Sequence, residues 1–310
     1  MRIFKKLALS VIIVISLSLV TGYIYFDRKF TPPENKLKVS GRAENIPMTW
    51  DAADENSHAA LLLPVRLKGV DLTFYMQFDS GSPTTLFYKN SLKSIGTQFR
   101  TQIQSGNGQN HIPMQFSIGE MGVISDFELL NYGSAIDSDA NNKNIIGTIG
   151  TDLLEKRIVI LDFKKSGCSF VENFNEKGFE TFEFRKRKIV IPGVVGGENL
   201  KLLYDSGSSG YELLTNREEW ERYRIPNGSI KIEKGNSWGN VLTVVSAPAD
   251  QPVKIGKSEL QLSEVTHVEG TSQMQNLLMK TSGMQGMIGN KIFLNHRLIL
   301  DCKNKKFKVE

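Results

Sequence analysis

The tetrad Asp-Ser-Gly-Ser occurs twice in this 310-residue chain, as Asp79-Ser80-Gly81-Ser82 and Asp205-Ser206-Gly207-Ser208. Each copy follows a strand-like apolar run, Leu72–Phe78 in one case and Asn199–Tyr204 in the other. A second block follows each copy much later. In the first half it is Ile149-Gly150-Thr151-Asp152-Leu153-Leu154, leading to Ile160-Leu161-Asp162-Phe163-Lys164. In the second half it is Ile288-Gly289-Asn290-Lys291-Ile292-Phe293, leading to Ile299-Leu300-Asp301-Cys302-Lys303. Gly150 to Asp162 and Gly289 to Asp301 are each 12 residues. One acidic tetrad is compatible with any turn. Two tetrads with matching downstream blocks in the same order point to a duplicated half-domain. Folded about a pseudo-twofold axis, such a duplication brings its two Asp side chains face to face.

With 40% hydrophobic and 23% charged residues, the composition is that of an ordinary globular chain. The length suits two lobes of roughly 130 residues, which we place at residues 59–175 and 176–310. The pattern within them is short β. Leu61–Leu67, a turn at Lys68-Gly69 and the run ending at Phe78 open the first lobe. A hairpin is predicted from Phe99–Gln104, the turn Ser105–Gly108 and His111–Ile118. The second lobe repeats the order: Lys188–Pro192, a Gly-rich turn and Leu200–Tyr204. A capping box at Thr215–Glu218 then precedes a short helix with Trp220, and a hairpin turn is predicted at Gly235–Asn240. The basic run Arg185-Lys186-Arg187-Lys188, just after the join, reads as a solvated strand edge.

The N-terminus is of another character. Arg2, Lys5 and Lys6 precede an uncharged, mostly apolar run from Leu7 to Phe26. That run has the ~20 residues a membrane-spanning helix needs. A cleaved signal peptide is the competing reading, but its apolar stretch is shorter, about 7–15 residues. We expect a single-pass anchor over residues 1–26, inserted through residues 7–26. Its positive end stays in the cytoplasm, and the remainder faces the periplasm or cell exterior. Residues 27–58, polar and carrying Pro32-Pro33, read as a stalk. The formal charge of +5 carries little meaning for partners. Residues 1–29 hold five Lys or Arg and one acidic residue, leaving 33 basic against 32 acidic. Nucleic-acid binding is not indicated.

Cys168 and Cys302 each follow a copy of the Leu-Asp strand. Two buried free thiols, or an intramolecular Cys168–Cys302 bridge in an oxidising compartment, both fit that placement. His58, His111, His267 and His296 are scattered without ligand spacing, so we expect no metal.

Peptide hydrolysis without a metal or a nucleophilic side chain needs a base to activate water and an acid to protonate the carbonyl oxygen. Two carboxylates sharing one proton supply both. Each Asp then needs a tight turn with neighbouring donors. Gly81 and Gly207 permit a sharp turn and a close approach. Ser80 and Ser206 can bond across the axis, and Ser82 and Ser208 can donate to the outer carboxylate oxygens.

Over residues 59–310 the chain resembles the pepsin-like and retropepsin-like aspartic proteases, in the bacterial bilobal form. The likeness rests on Phe78–Ser82, Tyr204–Ser209, Ile146–Gly150 and Gly286–Gly289. It implies an all-β, two-lobed acid-protease fold of pseudo-twofold β-barrel lobes, with Asp79 and Asp205 as the catalytic pair. It implies an aspartic endopeptidase acting on peptide or protein substrates with no cofactor. The chain departs from the family in having Ser after both Asp residues, Pro83 after the first tetrad, and no aromatic residue in Thr101–Gln115. The aromatic candidate for a substrate-covering flap is therefore Trp238, near the second-lobe turn, although a packed or exposed loop aromatic reads the same way. The alternative function is a non-catalytic peptide-binding or envelope-assembly protein on the same fold.

Overall fold

The computed structural model describes residues 21–22, 24–25, 27–53, 56–99, 110–137, 139, 142–174, 177–237, 240–269 and 284–310. Two compact units are present, Met1–Asn35 and Lys36–Glu310. In the first, the described residues between 21 and 29 are helical. Among the described residues no helix is long and apolar enough to cross a membrane. Most of the Leu7–Phe26 run lies outside them.

The second unit is all-β and begins inside the segment that the sequence predicts to be a stalk. Strands β1 (Lys38–Ser40), β2 (Ala43–Pro47) and β3 (Thr49–Ala53) occupy it, and β4 (Asn56–Leu67) starts there. Their apolar residues are sparse, which hides them in the sequence. Even so, Ala43, Ile46 and Met48 are buried in the common core.

Strand β4 runs through Leu61, Leu62 and Leu63, all fully buried, and turns at Gly69, whose φ of +80° suits glycine. It pairs with β5 (Thr73–Phe78). There Phe74, Met76 and Phe78 alternate inward, each burial being worth ~1.5–3 kcal/mol. β6 (Leu86–Tyr88), helix α1 (Lys89–Phe99), β7 (His111–Ile118), β8 (Met121–Leu130) and β9 (Ile145–Ile149) complete the first half. β9 lies parallel to β5 and antiparallel to β6, while β6 lies parallel to β8.

Of the hairpin predicted from Phe99–Gln104, Phe99 is not a strand residue: it ends α1, which buries Leu92 and Ile95 one turn apart, while residues 100–104 lie outside the described residues. β7 pairs with β8 and β4. The predicted turn Ser105–Gly108 lies outside the described residues.

β10 (Ile158–Asp162), β11 (Gly167–Val171) and β12 (Glu180–Thr181) lead into the second half. That half follows as β13 (Glu183–Arg185), β14 (Lys188–Val195), β15 (Glu198–Tyr204), β16 (Leu213–Thr215), helix α2 (Arg217–Tyr223), β17 (Lys231–Ser237), β18 (Asn240–Ile255), β19 (Ser258–Glu269) and β20 (Gly286–Ile288). Helix α2 is capped by Asn216, whose side chain accepts from the Glu219 amide. The pairing repeats the first half: β15 with β20 parallel, β16 with β20 antiparallel, β16 with β19 parallel.

β21 (Arg297–Asp301) and β22 (Lys306–Val309) close the chain and join the halves. A six-stranded sheet runs β12-β22-β21-β10-β11-β2. At its centre the two copies of the Leu-Asp strand pair antiparallel, with Ile160 opposite Ile299.

This sheet also decides the cysteines. Cys168 lies on β11 and Cys302 just beyond β21, with β10 between those strands. Two strand spacings are about 9.6 Å, beyond the ~7 Å limit between Cα atoms for a disulfide. Both thiols are free and buried, and the predicted bridge is absent. Burial pushes both thiols up from their ordinary range.

Candidate active site

β5 ends at Phe78 and β15 at Tyr204, so each tetrad is the turn leaving a central strand. Behind each turn runs the strand of the downstream block. The Asp79 amide donates to Ile149 O at 3.0 Å, and the Asp205 amide to Ile288 O at 2.9 Å. The glycine that follows each of these isoleucines is required by contact. A Cβ on Gly150 would fall on the Thr84 backbone, and one on Gly289 on the carbonyls of Ser208 and Tyr211. The two repeated motifs are thus the two sides of one contact, made once in each half.

The halves are locked together by their second motif residues. The Ser80 amide donates to Ser206 Oγ, and the Ser206 amide to Ser80 Oγ, both at 2.8 Å. Each hydroxyl donates onward to the carbonyl preceding the opposite Asp. Ser80 Oγ reaches Tyr204 O and Ser206 Oγ reaches Phe78 O, both at 2.9 Å. All four bonds are buried, and they need a group that accepts and donates at once, which a hydroxyl does.

The carboxyl groups stand between the two motif glycines. A Cβ on Gly81 would come under 3.0 Å from the Asp205 carboxyl, and one on Gly207 under 3.0 Å from that of Asp79. Asp79 Oδ1 accepts from the amides of Gly81 (2.8 Å) and Ser82 (3.1 Å). Asp205 Oδ1 accepts from the Gly207 amide (2.9 Å), and its Oδ2 from Ser208 Oγ (2.8 Å). Asp79 is 8% exposed. Burial first, then the charge of Asp205 and a hydrogen bond with it, pushes the Asp79 carboxyl well above the usual carboxylate range. The amides of Gly81 and Ser82 pull the other way but do not prevail.

The sequence-predicted residues Asp79, Ser80, Gly81, Ser82, Asp205, Ser206, Gly207 and Ser208 therefore come together. Ser82 differs from its predicted role: its hydroxyl donates to Thr84 O at 2.8 Å, and only its amide serves Asp79. The accompanying sequence difference is Pro83, with its fixed φ, where the second half has Ser209. Trp238 lies outside the described residues.

Several supporting residues were not singled out from sequence. Asp152, 5% exposed, accepts from the Thr85 amide (2.8 Å) and hydroxyl (2.6 Å). Thr151 donates to Ser82 O through both its amide and hydroxyl. In the second half Asn290 accepts from the Tyr204 hydroxyl (2.6 Å) and donates to Ser209 Oγ (2.6 Å). Their signal was position: each directly follows, or lies one residue beyond, the glycine of the downstream block. Beside the second loop a polar pocket of about 100 Å³ is lined by residues that include His58, Tyr211, Glu233, Glu264 and Lys291.

No family model matches the chain, and no curated protein matches it.

Proposed function

We propose that the chain is an aspartic endopeptidase in which Asp79 and Asp205 share one proton and activate water. The observation that carries the reading is the pair itself: two carboxyls, each beside the other's motif glycine, held by four buried bonds between the halves. Like charges this close resist joint ionisation, so the pair titrates as a unit. Asp79, the more buried group with the raised pKa, is the protonated partner. Asp205, held by the Gly207 amide and the Ser208 hydroxyl, is the carboxylate.

Water between them loses a proton to Asp205 as its oxygen attacks the peptide carbon, while Asp79 protonates the carbonyl oxygen. The tetrahedral diol then collapses with cleavage of its C–N bond: Asp205 passes its proton to the leaving amine, and Asp79 regains one from a diol hydroxyl as the carbonyl reforms. An extended substrate lies across the cleft as an added strand. The reading includes the fold, two pepsin-like lobes joined at the central sheet, and its placement. Residues 7–26 anchor the protein, and the enzyme faces the periplasm or exterior.

The test uses full-length protein in detergent with a peptide library and a pepstatin-type inhibitor. We expect inhibitor-sensitive cleavage that Asp79→Asn and Asp205→Asn each abolish. Cleavage near the wild-type rate in either folded variant overturns the assignment. Retention of the chain in the pellet after carbonate extraction supports the anchor, and release of a chain lacking residues 1–26 refutes it.

A further inference from the structure

We propose that Arg187 is a positioning residue of the active site: reaching over from the second half, it sets the first active-site loop and, through it, Asp79. The proposal rests on reading Asp79 and Asp205 as the reacting pair.

Arg187 sits in the basic run that the sequence assigns to a solvated edge. Arg185 and Lys188 are exposed as that assignment requires, but the Arg187 side chain is only 5% exposed. A buried guanidinium needs partners, and those of Arg187 lie in the first half. Its Nη1 donates to Pro83 O at 3.1 Å, and its Nε to Glu155 at 3.0 Å. Its charge also acts on Asp152, opposing the upward push of burial on that carboxyl.

These contacts surround one segment. Asp152 grips Thr85, Thr151 grips Ser82, and Arg187 grips the carbonyl between them. That segment continues directly from Asp79, and its Ser82 amide donates to the Asp79 carboxyl group.

The backbone gives a second observation. Lys186 and Arg187 form the two-residue turn between β13 and β14, with φ of +51° and +60°. Such turns favour Asn and Gly, which accept positive φ easily. A long cationic residue held there is a local cost that a specific contact offsets.

The halves differ here. At the position of Asp152 the second half has Lys291, which pairs with Glu264 of its own half at 3.0 Å. The reciprocal approach to the second loop is made by Asn56, an uncharged side chain packed against Gly210. Among the described residues, only the first loop is held by a cation from the other half, and it carries the more buried carboxyl.

The test compares full-length wild type with Arg187→Met and Arg187→Lys. For Arg187→Met we expect kcat to fall about 30-fold with KM within about threefold, because a loop error of ~1 Å can cost up to 100-fold in rate without removing substrate contacts. Lys should recover little, since one ammonium cannot replace a two-pronged guanidinium.

The second readout needs no catalysis. Amide exchange at Ser82 and Thr85 should accelerate about tenfold, while Ser208 and Tyr211 stay unchanged. A generally structural role would accelerate exchange in both halves alike, and that result overturns the proposal. So does unchanged exchange at Ser82 and Thr85, or full activity of Arg187→Met. If wild type cleaves nothing, the functional reading fails on its own and exchange still decides whether Arg187 sets the loop. If Arg187→Met does not fold, Glu155→Leu, which removes the acceptor of the Arg187 Nε, should give the same selective exchange at smaller size. Its absence there counts against the proposal equally.

Discussion

Replacing Ser206 by Ala removes two of the four bonds between the active-site loops. Both lost bonds leave a buried backbone group in the opposite half without that partner: the Ser80 amide and the Phe78 carbonyl. Each orphaned buried group costs about 1–3 kcal/mol, so the two together cost about 2–6 kcal/mol. Against a total stability of roughly 5–15 kcal/mol, that is a large fraction. Ser80→Ala removes the mirror pair, orphaning the Ser206 amide and the Tyr204 carbonyl. Because the geometry is matched to within 0.1 Å, we expect the two variants to lose equal stability within about 1 kcal/mol. The double variant should lose less than the sum, since loops that have parted no longer bury the remaining groups. Urea unfolding of the full chain, read as a shift in midpoint at unchanged slope, measures all three. A loss below about 0.5 kcal/mol for either single variant, the range of a surface change, would refute the reasoning, because water would then have reached groups described here as buried.

Other outcomes follow from the same geometry. Gly81→Ala and Gly207→Ala place a Cβ against the opposite carboxyl and should each lower kcat by at least roughly 100-fold, measured on variants whose circular dichroism matches wild type. Asp79 has a folded pKa raised above its unfolded one, so the native state holds its proton longer and stability falls as pH rises from the ordinary carboxylate range through the raised value. Asp79→Asn should therefore raise Tm at neutral pH while abolishing cleavage, and an unchanged or lower Tm would contradict the raised pKa. Cleavage by wild type should decline over the same rise in pH as Asp79 loses its proton, and a rate that climbs through that window would contradict its role as the acid. Because the cysteines are free, a reductant should leave Tm unchanged, and a thiol reagent should count two thiols after unfolding but react slowly before it.

The parts of this molecule that were legible in the sequence are those where local chemistry and duplication agree. The tetrads were readable because a turn that brings two carboxyls together needs Gly81 and Gly207 and leaves few alternatives. The crossing of Ser80 and Ser206 was readable because a duplicated hydroxyl beside a twofold axis meets its own copy. β1 and β2 were not readable, since two short edge strands with few apolar residues resemble a linker until β8 and β11 offer them edges. Phe99 reads as the start of a strand when taken with the residues after it, because its helical partners Leu92 and Ile95 lie upstream. The thiols were undecided because only the strand order shows that β10 lies between them.

Arg187 shows a different limit. Nothing local distinguishes it from Arg185 or Lys188, and its burial depends on a carboxylate 32 residues and a carbonyl 104 residues earlier in the chain. The duplication also misleads at this point, because it suggests that each loop is supported in the same way. The inner contacts do obey the symmetry: Ser80 with Ser206, Gly81 with Gly207, and the isoleucine carbonyls behind each Asp. The outer ones abandon it, with Asp152 and Thr85 in one half and Lys291 and Glu264 in the other. A shared proton requires two carboxyls at matched distance but in unequal environments, one holding the proton and one holding the charge. Equal inner contacts give the distance. Unequal burial and the Ser208 hydroxyl on Asp205 give the inequality. On the proposed reading, the unequal surroundings of the two carboxyls, and not the duplicated motif, assign different protonation to two identical side chains.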